Sequence, residues 1–436
     1  MQRTLAENPI VVVGGGLAGL ASAAYLARAG RAVTVLERAS ALGGRAQTTQ
    51  AGTFRLNLGP HALYRGAEAV QVLKDLDVPH RGGVPTASGG YALDGGAAHA
   101  LPGGFVSLLT TGLFGLGAKL ETAGLLRGIG GVDPAAFDGT SVRDWLTGHV
   151  RHADVRRLVE ALTRLSTYAN APATMSAGLA IRQLQHALAT SVSYLDDGWQ
   201  TLVDGLRTRA EAHGARIRTA ASVTALERGP SGHVTGVRLR DDGVVPASTV
   251  VLALDAGAAS TLLPDGQVRR YAAAATPVRA ACLDVGLSRL PQPRATFALG
   301  IDQPLYCSVH SAFARLAPEG GAVIHLARYL GGDAPAPGAV EAQLEGVLDR
   351  VQPGWRTVVV ERRFLPNMVV ASALATAAEG GVPARPGPRV PETPGLYVAG
   401  DWVGPEGWLA DASLASARRA AALVLAHERE RDVAAA

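Results

Sequence analysis

Residues 10–19 read Ile-Val-Val-Val-Gly-Gly-Gly-Leu-Ala-Gly, and a short apolar run at 32–36 closes on Glu37. Few folds accommodate that order. It predicts a strand, a glycine turn, a helix over 17–28 and a second strand that ends in a carboxylate. Gly14 permits the tight turn, Gly16 lets the backbone approach a pyrophosphate, and Gly19 allows the helix to pack closely on the strand. The helix, opening with Leu17 and Ala18, then offers its N-terminal amides to phosphate oxygens. Glu37 stands where a carboxylate accepts hydrogen bonds from both hydroxyls of a ribose. A glycine turn alone is common in α/β proteins. The flanking strands and the acidic residue at this distance make it a dinucleotide site.

The next segment separates one dinucleotide from another. Arg38 is followed by Gly43, Gly44 and Arg45. A nicotinamide site has no need of this second glycine pair. It suits a backbone that runs beside a bound cofactor while a guanidinium neutralises the phosphates. Together, 14–20 (Gly-Gly-Gly-Leu-Ala-Gly-Leu) and 42–45 (Leu-Gly-Gly-Arg) resemble the N-terminal signature of FAD-dependent amine oxidases, protoporphyrinogen oxidases and phytoene-desaturase-like enzymes. The stretch 395–402, with Gly400 and Asp401, resembles their C-terminal flavin motif.

The resemblance implies non-covalent FAD, since no cysteine follows Cys307 to form the thioether found in monoamine oxidases. It places Gly400 and Asp401 at the ribityl and pyrophosphate region. It places Leu409 just ahead of a helix that begins around 410–413 and points its N-terminus at the flavin ring, where positive potential stabilises the anionic reduced form. Asp411 or Ser413 is expected to cap that helix. A strand over 215–226 is expected to return to the cofactor domain, with the backbone of Val223 against the adenine. The segment 57–64 resembles the loop that runs along the flavin ring, which brings Gly59, Pro60 and His61 to the cofactor. Asn57 stands where the family commonly has an acidic residue. His61 and Tyr64 are the catalytic candidates. His61 is read as a proton acceptor or a donor to substrate, or as a residue that only packs the loop. Trp402 and Trp408 are read as lining the cavity or as plain packing.

The fold class expected is α/β: a discontinuous Rossmann-type FAD-binding domain (1–80, 200–265 and 386–428) and a second, mixed α+β substrate domain (81–199 and 266–385). At 436 residues the chain suits two domains rather than one core. The first excursion reads as mostly helical, the second as strand-rich, and 429–436 as a disordered tail. Basic residues exceed acidic ones by only four, 41 against 37. No basic run is interleaved with aromatics, so nucleic acid is not an expected partner. Cys282 and Cys307 have no metal-ligand or redox spacing and read as buried small residues, and no metal is expected. Basic residues are nearly all Arg, which with abundant Ala and Gly reads as a GC-rich bacterial coding bias. The first strand starts too early to leave room for a leader, so the expected location is the cytoplasm.

One stretch, 105–126, is long and apolar, but Lys119, Glu121 and its glycines argue against a membrane span. It reads either as helices roofing the substrate cavity or as a patch for peripheral membrane contact. Three functions stay open. The first is a desaturase-like dehydrogenase that moves hydride from a hydrophobic small molecule to FAD, with oxygen or a quinone as electron acceptor. The second is an amine or amino-acid oxidase, disfavoured because no lysine follows Lys119 to hold a water at the flavin. The third is a non-catalytic prenyl-binding protein of the GDP-dissociation-inhibitor branch, disfavoured because the flavin motifs are intact.

Overall fold

The computed structural model describes residues 9–86, 90–101, 111–263, 266–332 and 335–434. Ile10–Val13 is β-branched throughout and buried on both faces. Such a run belongs at the centre of a covered parallel sheet. It lies third of five strands, in the order Arg216–Arg218, Val33–Leu36, Ile10–Val13, Thr249–Leu252, Leu396–Val398, every pair parallel. Strand periodicity sends Ile10 and Val12 into a core shared with the helices Leu17–Arg28, Gln200–Ala212 and Ala410–Ala434. Val11 and Val13 face the opposite way, onto an antiparallel sheet of Val223–Arg228, Val234–Leu239 and Val244–Pro246.

The single strand expected over 215–226 is therefore two strands in two sheets. Ala220 interrupts it with a left-handed φ of 53°. The amides of Ala220 and Ala221 donate to the carbonyls of Ala39 and Glu37, both at 2.8 Å. Those bonds pull the chain out of the parallel sheet and across the end of the second strand.

A seven-stranded sheet forms the other half: Val359–Ala371, Val278–Leu287, Ala322–Leu330, Leu305–Val309, Phe297–Gly300, Gly90–Asp94 and Ala97–Ala100, in that order. The last two come from the excursion expected to be mostly helical. Gly90–Asp94 reaches the sheet by pairing in parallel with Phe297–Gly300. The helix Pro337–Val351 covers one face through Val340, Leu344 and Val347. Helices Val142–His149, Ala153–Thr167 and Ala177–Thr190 build a further core around Trp145 and Leu158. Both cysteines are buried and unpaired.

Of the apolar stretch 105–126, residues 105–110 lie outside the described residues. The remainder runs into the helix Leu116–Gly128, which leaves Leu116 and Leu120 exposed. Among the described residues no helix is long and apolar enough to cross a membrane. The tail expected to be disordered from 429 instead continues the last helix to Ala434. Glu428 helps to hold it, pairing with Arg31 at 2.8 Å.

Candidate active site

The glycine turn divides its work between two kinds of glycine. A Cβ on Gly14 (φ 109°) would lie 2.4 Å from the Ala253 carbonyl oxygen, and one on Gly19 would lie 1.9 Å from the Gly14 carbonyl oxygen. These two let backbone meet backbone. At Gly16 and Gly44 a Cβ would meet nothing nearer than 3.8 and 3.9 Å. Those glycines keep space open rather than permit contact. Glu37 ties the turn together: its Oε2 accepts from Gly15 N at 2.7 Å and its Oε1 from Ala39 N at 2.8 Å. Each oxygen keeps a further lone pair for a ligand hydroxyl. Gly43 N donates to Gly15 O at 2.8 Å, fixing the second glycine pair against the first.

These groups open onto a cavity of about 940 Å³. Glu37, Arg38, Val223, Arg45, Gly400, Asp401, Pro60, His61 and Tyr64 all stand on its wall. Of the residues expected from sequence, only Gly19 and Gly59 are missing from its wall. Gly59 (φ 73°) sits behind it, where a Cβ would be 2.7 Å from Cys282 Sγ. Asn57, in place of the family's acidic residue, is buried and accepts from Thr48 Oγ1 at 2.6 Å and Trp199 N at 3.1 Å.

Asp401 is buried and fully engaged. Its Oδ2 accepts from Arg45 Nη1 at 2.6 Å and Ser372 N at 2.8 Å, and its Oδ1 from Ser372 Oγ at 2.7 Å. Burial alone would raise its pKa, but the Arg45 charge and these hydrogen bonds hold it below the usual value. Arg45 also donates to the Val370 carbonyl at 2.9 Å. The guanidinium expected to meet phosphates is thus anchored on the cavity wall by a carboxylate.

The last helix begins at Ala410, directly after Leu409, whose φ of 55° is left-handed without being glycine. Neither expected cap serves it. Asp411 Oδ1 accepts from Ala69 N at 2.7 Å, so it caps the neighbouring helix Glu68–Asp75. Ser413 Oγ donates back to the Leu409 carbonyl at 3.1 Å. Burial lifts the Asp411 carboxyl to about 7 against the pull of the Ala69 amide. Trp402 and Trp408 are packing residues. Both are fully buried, their indole N–H groups bonded to Leu254 O (2.9 Å) and Thr167 O (3.0 Å).

His61 has both ring nitrogens against backbone carbonyls: Nδ1 is 3.1 Å from Gly59 O, and Nε2 is 3.1 Å from Arg45 O. Burial depresses its pKa to about 4. The Tyr64 hydroxyl donates to Ser166 O at 3.0 Å. Among the wall residues that the sequence reading did not place at the site are Tyr168, Cys282 and Met368. Tyr168 ends the helix Ala153–Thr167 in a left-handed conformation (φ 61°), and its hydroxyl donates to Pro60 O at 3.0 Å. No local signal marks it, because a left-handed turn at a helix end is normally announced by glycine. Among the described residues, no group of three or more His, Cys, Asp or Glu could hold a metal ion.

The residues fit a flavin dinucleotide. Bare glycines line the wall at Gly16 and Gly44, the helix Leu17–Arg28 has a glycine N-cap with no side-chain cap, and Glu37 retains acceptor capacity. The comparisons agree. The family model of flavin containing amine oxidoreductases matches residues 17–425. Phytoene dehydrogenase of Streptomyces griseus is 56% identical over 54 residues, spanning 12% of this chain and only 11% of that relative. Coproporphyrinogen III oxidase of Mycobacterium tuberculosis is 28% identical over 373 residues, 76% of this chain and 79% of the relative. Among solved structures, an oxidoreductase from Methanosarcina mazei superposes with a TM-score of 0.77 at 19% identity, covering 94% of this chain and 99% of that one.

Proposed function

The chain belongs to the flavin containing amine oxidoreductases and is an FAD-dependent oxidoreductase, and we propose that it dehydrogenates a hydrophobic small molecule. One observation carries this reading. The cavity wall that His61 shares includes Tyr64, Tyr168, Ala280, Cys282, Met368 and Val370, with Trp199 against the His61 ring at 5.0 Å. The two tyrosine hydroxyls there are spent on the carbonyls of Ser166 and Pro60, which leaves ring carbon for a ligand. An apolar substrate gains from such a wall by area removed from water. An ammonium or carboxylate placed against these six residues would lose its hydration for no charged partner.

In this reading bound FAD would supply the hydride acceptor, with oxygen or a quinone as the expected electron acceptor. The chain's own residues bind and orient. Glu37 takes the ribose hydroxyls, and the amides at the start of the helix Leu17–Arg28 take the pyrophosphate. Arg45, held by Asp401, lends positive charge to the cavity wall. The N-terminus of the helix Ala410–Ala434, opening on the cavity at Leu409 and Ala410, offers amide hydrogens where negative charge would develop. The aromatic wall keeps water from the reacting carbon.

Anaerobic bleaching of the flavin tests the substrate class. Purified protein is mixed with polyenes and porphyrinogens on one side, and amines and amino acids on the other. Bleaching by an apolar compound supports the proposal. Bleaching by amines alone replaces it with the oxidase reading.

A further inference from the structure

His61 presents a problem of proton count. A neutral imidazole carries one N–H donor and one lone pair. Both ring nitrogens nevertheless face carbonyl oxygens at 3.1 Å, and a carbonyl has no hydrogen to give. Only the imidazolium, with two N–H groups, makes both bonds. In the neutral ring one nitrogen lone pair is set against a carbonyl lone pair. The site is built for a cation, yet its surroundings withhold the charge.

The groups around the ring explain what withholds it. Burial dominates and His325, on the seven-stranded sheet, adds to it, while the hydrogen bonds to the Gly59 and Arg45 carbonyls favour the charged ring. Asp284 favours it too, but its carboxylate is already shared by His325 Nδ1 at 2.6 Å and Arg363 Nη2 at 2.7 Å. Arg45 contributes its backbone oxygen, while its guanidinium is paired with Asp401. Trp199 meets the ring edge at 5.0 Å between centroids and brings no charge. A single negative charge arriving in the cavity, whose wall His61 forms, would tip this balance.

We propose that His61 is a redox-linked proton site, neutral beside oxidised FAD and protonated when the flavin takes up hydride. The balance closes. Two electrons and one hydrogen nucleus enter the flavin as hydride and leave it an anion, and one proton enters the His61 ring and leaves it a cation. In a dehydrogenation the substrate carbons release one hydride and one proton, so the pair of sites absorbs what the reaction sheds. The proposal rests on the flavin of the family and not on the substrate class.

The test uses the flavin-loaded protein with ¹⁵N-labelled histidine, and His61→Gln to assign the ring signals. At pH 7 the ring nitrogens should report one lone pair in the oxidised state and two N–H groups after anaerobic reduction with dithionite. Independently, the flavin midpoint potential should fall more steeply with pH in the wild type than in His61→Gln. The excess is one proton per two electrons, or about 30 mV per pH unit over roughly pH 5 to 7. A ring unchanged by reduction, or equal slopes in the two proteins, overturns the proposal. The flavin absorbance of the same sample shows separately whether the cofactor is bound.

Discussion

Glu37 serves two partners with one carboxylate. Its oxygens hold the amides of Gly15 and Ala39, and under the proposed function the same oxygens take the ribose hydroxyls. Hydrogen bonds to a charged group contribute about 1.5–3 kcal/mol each. Glu37→Ala should therefore weaken FAD binding at least tenfold and also lower the melting temperature of the flavin-free protein, because the turn loses its tie. A fluorescence-quenching titration with FAD reads the first effect, and unchanged affinity would remove Glu37 from the site. Asp401 answers to pH. Its folded pKa lies below the unfolded value of 3.8, so its contribution is present above that value and is lost as pH falls through the folded pKa. Asp401→Asn removes the charge that pairs with Arg45, whose side chain is 43% exposed, so water screens the loss to about 1 kcal/mol. The gap in thermal stability between wild type and variant should hold near neutral pH and shrink below about pH 4. A gap that persists into strong acid would mean that the ion pair is not its source. Both residues were legible in sequence because each follows a glycine motif at a fixed offset. Tyr168 was not, since its place on the wall depends on a contact with Pro60, 108 positions away.

Elements show the same division between local and distant causes. The strand, turn and helix of 10–28 could be read directly, because Gly14 takes a positive φ in the turn and Gly19 answers to the Gly14 carbonyl five residues back. The consequence is a contrast between neighbours. Gly19→Ala puts a methyl 1.9 Å from the Gly14 carbonyl oxygen and must push the helix off the strand; it should destabilise the protein with or without flavin. Gly16→Ala meets nothing nearer than 3.8 Å, so it should fold with near-normal stability and lose FAD affinity. Thermal melts of both flavin-free variants, paired with FAD titrations, check this. A Gly16→Ala protein that binds FAD normally would show that the cofactor does not approach this glycine. The errors at this scale came from tertiary contacts. The break at Ala220 answers to the carbonyls of Glu37 and Ala39, and Asp411 turns away from its own helix to cap Glu68–Asp75. Neither partner can be seen from inside the segment concerned.

At the scale of the whole molecule, the cavity belongs to both sheets. Gly14, Glu37 and Gly400 approach it from the five-stranded side, and Ala280, Cys282 and Met368 from the seven-stranded side. Direct ties cross between the halves: Arg45 to the Val370 carbonyl, Arg363 to the Asn57 carbonyl, and Trp408 to the Thr167 carbonyl. A ligand that fills such a cavity binds the folded chain and not the unfolded one. It should stabilise by about 1.4 kcal/mol for each tenfold excess of free FAD over its Kd, or about 2.7 kcal/mol at a hundredfold excess. Calorimetry of the flavin-free protein across a series of FAD concentrations measures this, and the shape of the trace tells more than the shift. If the ties already join the halves, one transition should move upward with the logarithm of FAD. Two transitions that converge as FAD is added would mean that the flavin itself is the main join. A single unit moving while the other stays fixed would contradict a shared cavity, and the apolar wall on the seven-stranded side would then lose its claim to the substrate.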